Sequence, residues 1–385
     1  MSGTLADSNL GRVAFIAEST FGTTPATPNM QILRVTSFDV GATKETVVSD
    51  EVRSDRMIST VSEVAAMSGG TLGFELSLGG SFDTLIEAAL CGTFSTALSA
   101  TNVAVTTTST FNLVGAFTNS VVGQWVFASG FTNAANNGWH RITARTADAI
   151  TVASLLVVET AGASKAVRGR VLRNGVAKRS FSFEEAFTDI NQFFIFRGQR
   201  VGSMALDVTA GQIVTGSFGL QGSATAAGAT TFATTTTPAT STAAINATSN
   251  VGAVLEAGTY TALTTAIQSF SMNLDNALRN QMAVGNKFPA GIGYGRQTVS
   301  GSLNAYFQNR ALYDKFLNHE ATALSFALAD SAGNAMRITL PRVFFNSSNP
   351  AIAGVDQDVM ENIEWTAVQD SVTGCQIQID MVPGA

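Results

Sequence analysis

The sequence has few of the residues that carry most enzyme and metal chemistry. Its 385 residues include two histidines, His140 and His319, and two cysteines, Cys91 and Cys375. Two cysteines cannot make a disulfide framework or a four-cysteine zinc site, and two histidines leave little for general-base catalysis. The chain has no Gly-x-Ser-x-Gly nucleophile elbow, no complete phosphate-binding loop and no EF-hand spacing. We therefore expect a protein that is not an enzyme and that needs no metal or cofactor.

Charge is also scarce, and its balance is acidic. Charged residues make up 13% of the chain, and 22 Lys and Arg against 28 Asp and Glu leave a net charge of −6. Binding nucleic-acid phosphates requires clustered cations, so this balance argues against a nucleic-acid-binding protein. The longest nearly apolar run, residues 149–158, is too short to cross a membrane, and residues 1–7 lack the basic and apolar regions of a secretory signal. These absences favour a structural component that begins in the cytoplasm.

The apolar residues, 45% of the chain, are arranged with the period of β-strands. Alternation of polar and apolar residues buries one face of a strand and leaves the other for water or a partner. Two short helices are predicted to follow such strands, one with Ser81 as N-cap and Gly92 as C-cap, the other at 309–318. The sequence thus predicts a mostly antiparallel β protein. The alternating segments are 71–78, 268–274, 301–307 and 376–381.

An internal repeat is visible in the strand segments. Segments 68–76 and 300–307 are similar and each precedes a helix, whereas segment 214–222 resembles both but leads into a loop. Phe38 precedes Gly69 by as many residues as Phe270 precedes Gly301. We interpret this as a sheet-forming unit that is used three times. Chance similarity among strands rich in Ser and Gly is the alternative.

Two stretches do not fit the repeat. Residues 95–170 have short strands of their own and a turn rich in Asn, which predicts a small inserted β-domain within a core of residues 1–94 and 171–385. Residues 223–249 are rich in Ala and Thr and are predicted to form a long exposed loop.

A charged segment lies in the long connection between two predicted strands. Signs alternate at Glu51, Arg53, Asp55 and Arg56, which indicates an arm that meets a complementary surface, although a solvated loop fits the spacing equally well. Few Lys and Pro protect the strands against pairing at their edges. An assembly subunit whose strands add to those of its neighbours is therefore favoured over a monomer.

Several segments are similar to the major tail tube proteins of bacteriophages with long, non-contractile (siphovirus-type) tails. None of these segments is a chemical signature, so the resemblance depends on their order and on the repeated layout. They are spread over residues 12–94 and 171–385, and the insert resembles an extra surface domain that some relatives carry. The similar segments are 14–25, 48–56, 180–184 with Phe187 and 194–198, and 354–358 through Ile379.

The resemblance implies an all-β, mostly antiparallel subunit, a tail-tube-like β-sandwich or half-barrel with one or two short flanking helices. Such subunits close into hexameric rings, each subunit giving four strands to a shared channel, and the rings stack around a tape-measure protein. Terminator and distal tail proteins cap the ends, and the virion tube is assembled in the host cytoplasm and conducts DNA during ejection. Segment 44–66, the first dozen residues and the C-terminus are expected to bridge rings, with Glu51, Arg53, Asp55 and Arg56 as contact candidates.

A channel for DNA should not grip phosphates, and it needs neither specific DNA contacts nor a membrane. The polar faces of the alternating strands are expected to supply a neutral or anionic wall. Which sheet face looks inward is left open by the sequence. The alternative function is a carbohydrate-binding or adhesive surface protein, in which Trp125 and Trp139 stack on a sugar ring, although packing in the insert explains them as well. The candidates for the channel face are Thr71, Glu75, Ser77, Ser217, Gln221, Ser302 and Asn304.

Overall fold

The computed structural model describes residues 5–263, 265–352 and 354–384. Within these ranges the regular structure is almost entirely antiparallel β, with two seven-residue α-helices, so the prediction of an all-β fold is confirmed. Two single 3-10 turns span Ser8–Leu10 and Ala134–Asn136. Residues 1–4, part of the N-terminal segment that was expected to bridge rings, lie outside the described residues, as does Ala385.

The elements follow the chain through a first half, which is interrupted by the segment predicted to be an insert (residues 95–170, the insert), and a second half. The first half begins with β1 (Gly11–Ala17), β2 (Asn29–Ile32), β3 (Ser37–Val48), β4 (Val61–Glu75) and α1 (Asp83–Ala89). The insert contains β5 (Leu98–Thr101), β6 (Ala104–Thr107), β7 (Thr110–Asn112), β8 (Trp125–Ser129), β9 (Gly138–Arg145) and β10 (Ala149–Val152). The first half resumes with β11 (Ala166–Arg173), β12 (Phe181–Phe187), β13 (Gln192–Thr209) and β14 (Thr215–Gly222).

The remaining strands are short connecting pieces and the long strands of the second half. The short pieces are β15 (Thr225–Gly228), β16 (Thr235–Thr237), β17 (Leu255–Glu256) and β18 (Thr261–Ala262). The second half has β19 (Ile267–Asp275), β20 (Arg279–Gln281), β21 (Gly291–Gly293), β22 (Thr298–Tyr306), α2 (Ala311–Leu317), β23 (Thr322–Ala329), β24 (Ala335–Ala351), β25 (Met360–Ala367) and β26 (Gln378–Val382).

Eight long strands form one continuous antiparallel sheet in the order β3, β4, β14, β13, β19, β22, β25, β24. One face of this sheet is apolar and lies in the main core of the protein, as period-two alternation requires. A second layer packs on that face: Phe38 of β3 stacks on Phe183 of β12, and Phe270 of β19 lies edge-on to Phe326 of β23. The fold is therefore a two-layer sandwich.

The sheet consists of two four-stranded units with the same topology. The first unit has the order β3, β4, β14, β13 across the sheet, and the second has β19, β22, β25, β24. In both units this is the first, second, fourth and third strand of the unit in chain order. In each unit a helix follows the second strand, and α1 packs on β13 as α2 packs on β24. β13 and β24 are also the longest strands, and their first parts pair with β12 and β23 of the second layer.

The repeat is used twice, whereas the sequence predicted three uses. Segment 214–222 is β14, which pairs with β4 just as β25 pairs with β22, so it corresponds to the strand β25 and does not start a third unit. The strand β12, which precedes β13, pairs with β1 and β13 in the second layer and is not the first strand of a further unit. Local similarity misled because Ser- and Gly-rich strands look alike whichever neighbour they pair with.

The ends of the two helices differ from the prediction but match each other. Ser81 does not cap α1, because its hydroxyl oxygen accepts the N–H of Thr240 and the cap position is Phe82. A left-handed residue ends each helix, Cys91 with φ 50° and His319 with φ 51°, and not Gly92 as predicted. The next N–H donates to the carbonyl five residues earlier in both cases, at 3.0 and 2.9 Å.

The insert has a hydrophobic core of its own. The buried residues of that core, from Leu98 to Val167, form a cluster separate from the main one. The chain passes from residues 1–94 into the insert and back into residues 171–385 at one point, because Ser95 and Val171 exchange hydrogen bonds of 2.8 and 3.0 Å. β11 crosses the predicted boundary, its first part pairing with β5 and β8 and its last part with β26. The division into core and insert stays a prediction that these observations support.

Residues 223–249 are less exposed than the sequence predicts. β15 in this stretch pairs with β13, and β16 pairs in parallel with β2. Ile245 is completely buried, and its backbone bonds Leu76 on one side and Val214 on the other at 2.8 Å. The stretch therefore contributes backbone partners to its neighbours and is not a long exposed loop.

Candidate functional site

The second face of the eight-stranded sheet is open and polar. Residues directly opposite each other in neighbouring strands point to the same face, so the register decides which side chains belong together. Glu75, for example, lies opposite Thr215, and Ser271 opposite Ser302. The register places six of the seven candidates for the channel wall on this open face: Thr71, Glu75, Ser217, Gln221, Ser302 and Asn304.

Ser77 does not belong to the open face. β4 ends at Glu75, and beyond it Ser77 makes a β-bridge with Ala244 and is only 3% exposed. The alternating segment predicted from the sequence, 71–78, therefore extends three residues beyond the end of β4. We remove Ser77 from the candidates for the channel wall.

The open face carries carboxylates and no cations in its central part. β14, β19, β22 and β25 contain no Lys or Arg. Arg200 of β13 and Arg342 of β24 are cations of the face that lie where these strands begin to pair with β14 and β25. Their guanidinium carbons lie 4.9 Å from the ring centre of Phe21 and 5.4 Å from that of Phe344, respectively. The sequence analysis named one acid of this face, and the other four become recognisable only through the register. The carboxylates that share the face are Asp39, Glu75, Asp207, Asp275 and Glu364.

The neutral side chains of the face hydrogen-bond to one another. The hydroxyls of Ser271 and Ser302 are 2.8 Å apart, and the side-chain amide of Asn304 donates to the side-chain oxygen Oε1 of Gln268 at 2.7 Å. Groups that are satisfied in this way compete poorly for a passing ligand. The face is thus a hydrophilic wall.

A two-stranded arm, residues 44–66, extends from the edge of the sheet. Its charged candidates pair within the arm: Arg53 donates to both carboxylate oxygens of Asp55, at 3.0 and 2.5 Å. This hydrogen bond lowers the pKa of Asp55 and raises that of Arg53. Glu51 is exposed, and Arg56 adopts a left-handed turn conformation with φ 60°.

The arm also exposes apolar side chains that the sequence analysis overlooked. Val52 is 99% exposed and Ile58 is 69% exposed, although a soluble surface normally avoids a contiguous apolar patch. The signal is visible in the sequence as valines between polar residues, among the alternating charges of the same segment. The exposed apolar residues of the arm are Val47, Val48, Val52, Met57, Ile58, Val61 and Val64.

Both outer strands of the eight-stranded sheet have a free edge. Within the described ranges, β3 pairs with β4 alone, and the last part of β24, residues 345–351, pairs with β25 alone. That part of β24 has no charged residue. A free edge is a site at which another strand can be added. The β3 edge does carry Asp39, Lys44 and Glu45, and Pro350 of β24 has no backbone N–H to donate.

The two tryptophans considered for sugar binding pack between the insert and the core. The guanidinium carbon of Arg337 lies 4.4 Å from the ring centre of Trp125 and 5.2 Å from that of Trp139. Trp125 is 6% exposed and also contacts the ring of Tyr260. Both tryptophans also line a cavity between the insert and the core, together with Tyr260, so the adhesive alternative stays a prediction.

Among the residues that the structure describes, no helix has the length and apolar character needed to cross a bilayer. The same part of the chain contains no group of three or more His, Cys, Asp or Glu side chains arranged to hold a metal ion.

Comparison with known proteins identifies the family to which the chain belongs. A search of curated proteins finds no match. The family described as phage tail tube protein matches residues 8–367, which is nearly the whole chain and includes both four-stranded units and the insert. The chain therefore belongs to the phage tail tube protein family and is a structural, β-rich tail component of a bacteriophage virion.

Proposed function

We propose that the protein assembles with copies of itself into rings that stack into a tail tube, and that the open polar face lines the channel through which DNA is ejected. The observation that carries this proposal is the charge of the face, which has five carboxylates and no central cation. We further propose that the role is purely structural, without catalysis.

An acidic wall suits rapid passage of DNA. Duplex DNA carries a phosphate charge about every 1.7 Å of its axis, and phosphate contacts supply most non-specific affinity. A wall of carboxylates, hydroxyls and amides repels this charge and leaves the DNA free to slide. The opposite orientation is unfavourable, because the other face is the buried core that includes Leu72, Phe218 and Trp365.

Six four-stranded units arranged around an axis would form a barrel of about 24 strands, wide enough for an aqueous channel. This retains the six-fold channel that the resemblance implies. The arm 44–66 is our candidate for the contact between rings, because stacking would cover its exposed apolar residues and would meet Glu51, Arg53, Asp55 and Arg56.

Membership of the family also supports the remaining partners. We propose a tape-measure protein inside the channel during assembly, and terminator and distal tail proteins at the two ends. Assembly would take place in the host cytoplasm, and DNA would pass through without specific binding.

Electron microscopy of the purified protein in negative stain tests the proposal. We expect tubes, or rings with six-fold appearance, at high protein concentration or after addition of the tape-measure protein. A preparation that stays monomeric under both conditions would reject self-assembly.

A further inference from the structure

We propose that three chains close the ring, where the resemblance implied six, because each chain already contains two ring units joined edge to edge. The inference rests on the proposed function and specifies its partner: a second copy of this chain, bound along the free edges of the eight-stranded sheet. The surface involved is the outer edge of β3 on one chain and the outer edge of β24, residues 345–351, on the next.

The two units agree residue by residue in their first two strands. Phe38 of β3 lies opposite Leu72 of β4, and Phe270 of β19 lies opposite Leu303 of β22. All four side chains belong to the main core or pack against it. The first strand of one unit therefore has a defined equivalent in the other.

The last two strands of the units also agree, including an irregularity. The pairing of β13 with β14 shifts by one residue between Val201 and Ser203. The pairing of β24 with β25 shifts in the same way between Phe345 and Ser347. A β-bulge repeated at corresponding places is a conserved feature of a duplicated structure, and it makes Ser203 and Ser347 equivalent.

The junction inside the chain shows how two units join. The last strand of the first unit, β13, pairs with the first strand of the second unit, β19, from Ser203 opposite Asp275 to Thr209 opposite Ser269. The open face and the core both continue across this junction without interruption. At the two ends of the sheet, a last strand and a first strand of the same kinds each have an outer edge to which no strand within the described ranges is paired.

The internal junction predicts the register of the external one. Counting from the equivalent residues, Ser347 of one chain should lie opposite Thr43 of the next, and Asn349 opposite Gly41. Both Asn349 and Gly41 are exposed, and a side chain at Gly41 would meet no atom within 4 Å. Three chains with eight strands each would then give the same barrel of about 24 strands.

Cysteine crosslinking tests the number of chains. The variant Gly41→Cys/Asn349→Cys places one thiol on each free edge, and Ala205→Cys/Asn273→Cys places the same pair at the equivalent positions of the internal junction. The native Cys91 and Cys375 are buried, so the new thiols are the ones open to mild oxidation of assembled tubes.

On a non-reducing denaturing gel, the edge variant should give a ladder that ends at three chains and collapses to one on reduction. The internal variant should remain a single chain. A ladder that continues to six chains, or tubes of normal appearance that never crosslink at this pair, would overturn the inference.

The mass of single rings of the unmodified protein provides a second measurement, in case the variants fold poorly. Native mass spectrometry should give about three times the chain mass of 40.0 kDa, and a mass of six chains would contradict the proposal. Absence of any ring or tube would reject the proposed function itself, so the two failures are distinguishable.

Discussion

Gly70 and Gly301 occupy the same position in the two four-stranded units, and each lies directly against a backbone carbonyl of the neighbouring strand. A Cβ atom at Gly70 would come within 1.6 Å of the carbonyl oxygen of Asp39, and one at Gly301 within 2.0 Å of that of Ser271. Real Cβ atoms do not approach so closely, so the strands would have to separate locally. We expect Gly70→Ala and Gly301→Ala each to lower the free energy of unfolding by about 1–3 kcal/mol, measured by thermal or denaturant unfolding.

Gly41 provides the matched control for this experiment. It lies in β3 near Asp39, but an added Cβ would meet nothing within 4 Å. Gly41→Ala should therefore leave the stability of the unassembled chain nearly unchanged. If it destabilises as much as the other two substitutions, the close approach to the carbonyl is not the cause.

Much of this architecture could be predicted from local sequence. Period-two alternation identified β4, β19 and β22 and assigned side chains such as Thr71 and Ser302 to their polar face, because the alternation depends only on neighbours along the chain. The two helices could also be predicted, because their cap residues and apolar positions are close together along the chain. Ser77 was misplaced because the sequence pattern does not show where a strand stops pairing.

The arrangement of the strands could not be predicted in this way. The pairing of β13 with β19 joins residues such as Asp207 and Ser271 that are far apart in sequence, and neither strand alone indicates its neighbour. The acidic character of the face and the doubling of the unit both depend on that pairing. The resemblance implied a subunit that gives four strands to the channel, whereas the chain has eight strands in one sheet.

Reversing charge on the open face should convert the proposed channel into one that retains DNA. Asp207 and Glu364 lie in one row across the sheet, with Ser271 and Ser302 between them. Tubes of Asp207→Lys/Glu364→Lys assembled with a short labelled duplex should hold the DNA after sedimentation. The retained fraction should fall steeply between low and high salt, because phosphate contacts release counterions.

The control for the charge reversal places lysines away from that face. Glu320 and Asp358 are exposed and lie outside the row of facing residues. Tubes of Glu320→Lys/Asp358→Lys should retain no more DNA than unmodified tubes. Equal retention by the two variants would mean that the open face does not line the channel.

The arm should govern stacking of rings and not folding of the chain. Val52 is 99% exposed, so Val52→Asp removes an apolar contact only if another molecule covers it. We expect rings that do not elongate into tubes, seen by electron microscopy, with an unchanged unfolding temperature. Reversal of the exposed Arg53 and Arg56 to Glu should weaken stacking in the same way.

A valine of the insert is the control, because it shows whether replacing any exposed apolar side chain would prevent the rings from elongating into tubes. Val114 is 83% exposed, and Val114→Asp should give tubes of normal length. Tubes of normal length and growth rate from the Val52 and Arg variants would assign the inter-ring contact to another surface.

The insert should be dispensable for tube formation. Its ends meet at the hydrogen-bonded pair Ser95 and Val171, so residues 96–169 can be replaced by two glycines that connect Ser95 to Arg170. Arg170 is retained because it makes an ion pair with Asp83 and stacks on Phe94. We expect tubes with the same channel and a smaller outer diameter. A folded deletion variant that forms no tube would show that the insert takes part in assembly.

Asp380 should make the stability of the chain depend on pH. Its side chain is completely buried, and this desolvation raises its pKa to about 7 despite hydrogen bonds from Gln378 and the N–H of Trp125 and the nearby charges of Arg173 and Arg337. In the unfolded chain an aspartate has a pKa of about 3.9. Between these values the folded state holds a proton that the unfolded state has released. The free energy of unfolding should therefore fall as pH rises from about 4 to 7, by up to about 1.4 kcal/mol per pH unit.

The side chain at position 380 cannot ionise in the variant Asp380→Asn. This variant should therefore lack this contribution to the slope of the free energy of unfolding against pH. Denaturant unfolding of the dissociated protein at several pH values between 4 and 7 would measure it. The exposed Asp358→Asn is the matched control and should keep the slope of the unmodified chain, because water solvates that carboxylate in the folded and unfolded states alike. If the Asp380 variant keeps the same slope as well, then Asp380 is already ionised in the folded protein at pH 5, and the cations beside it outweigh its burial.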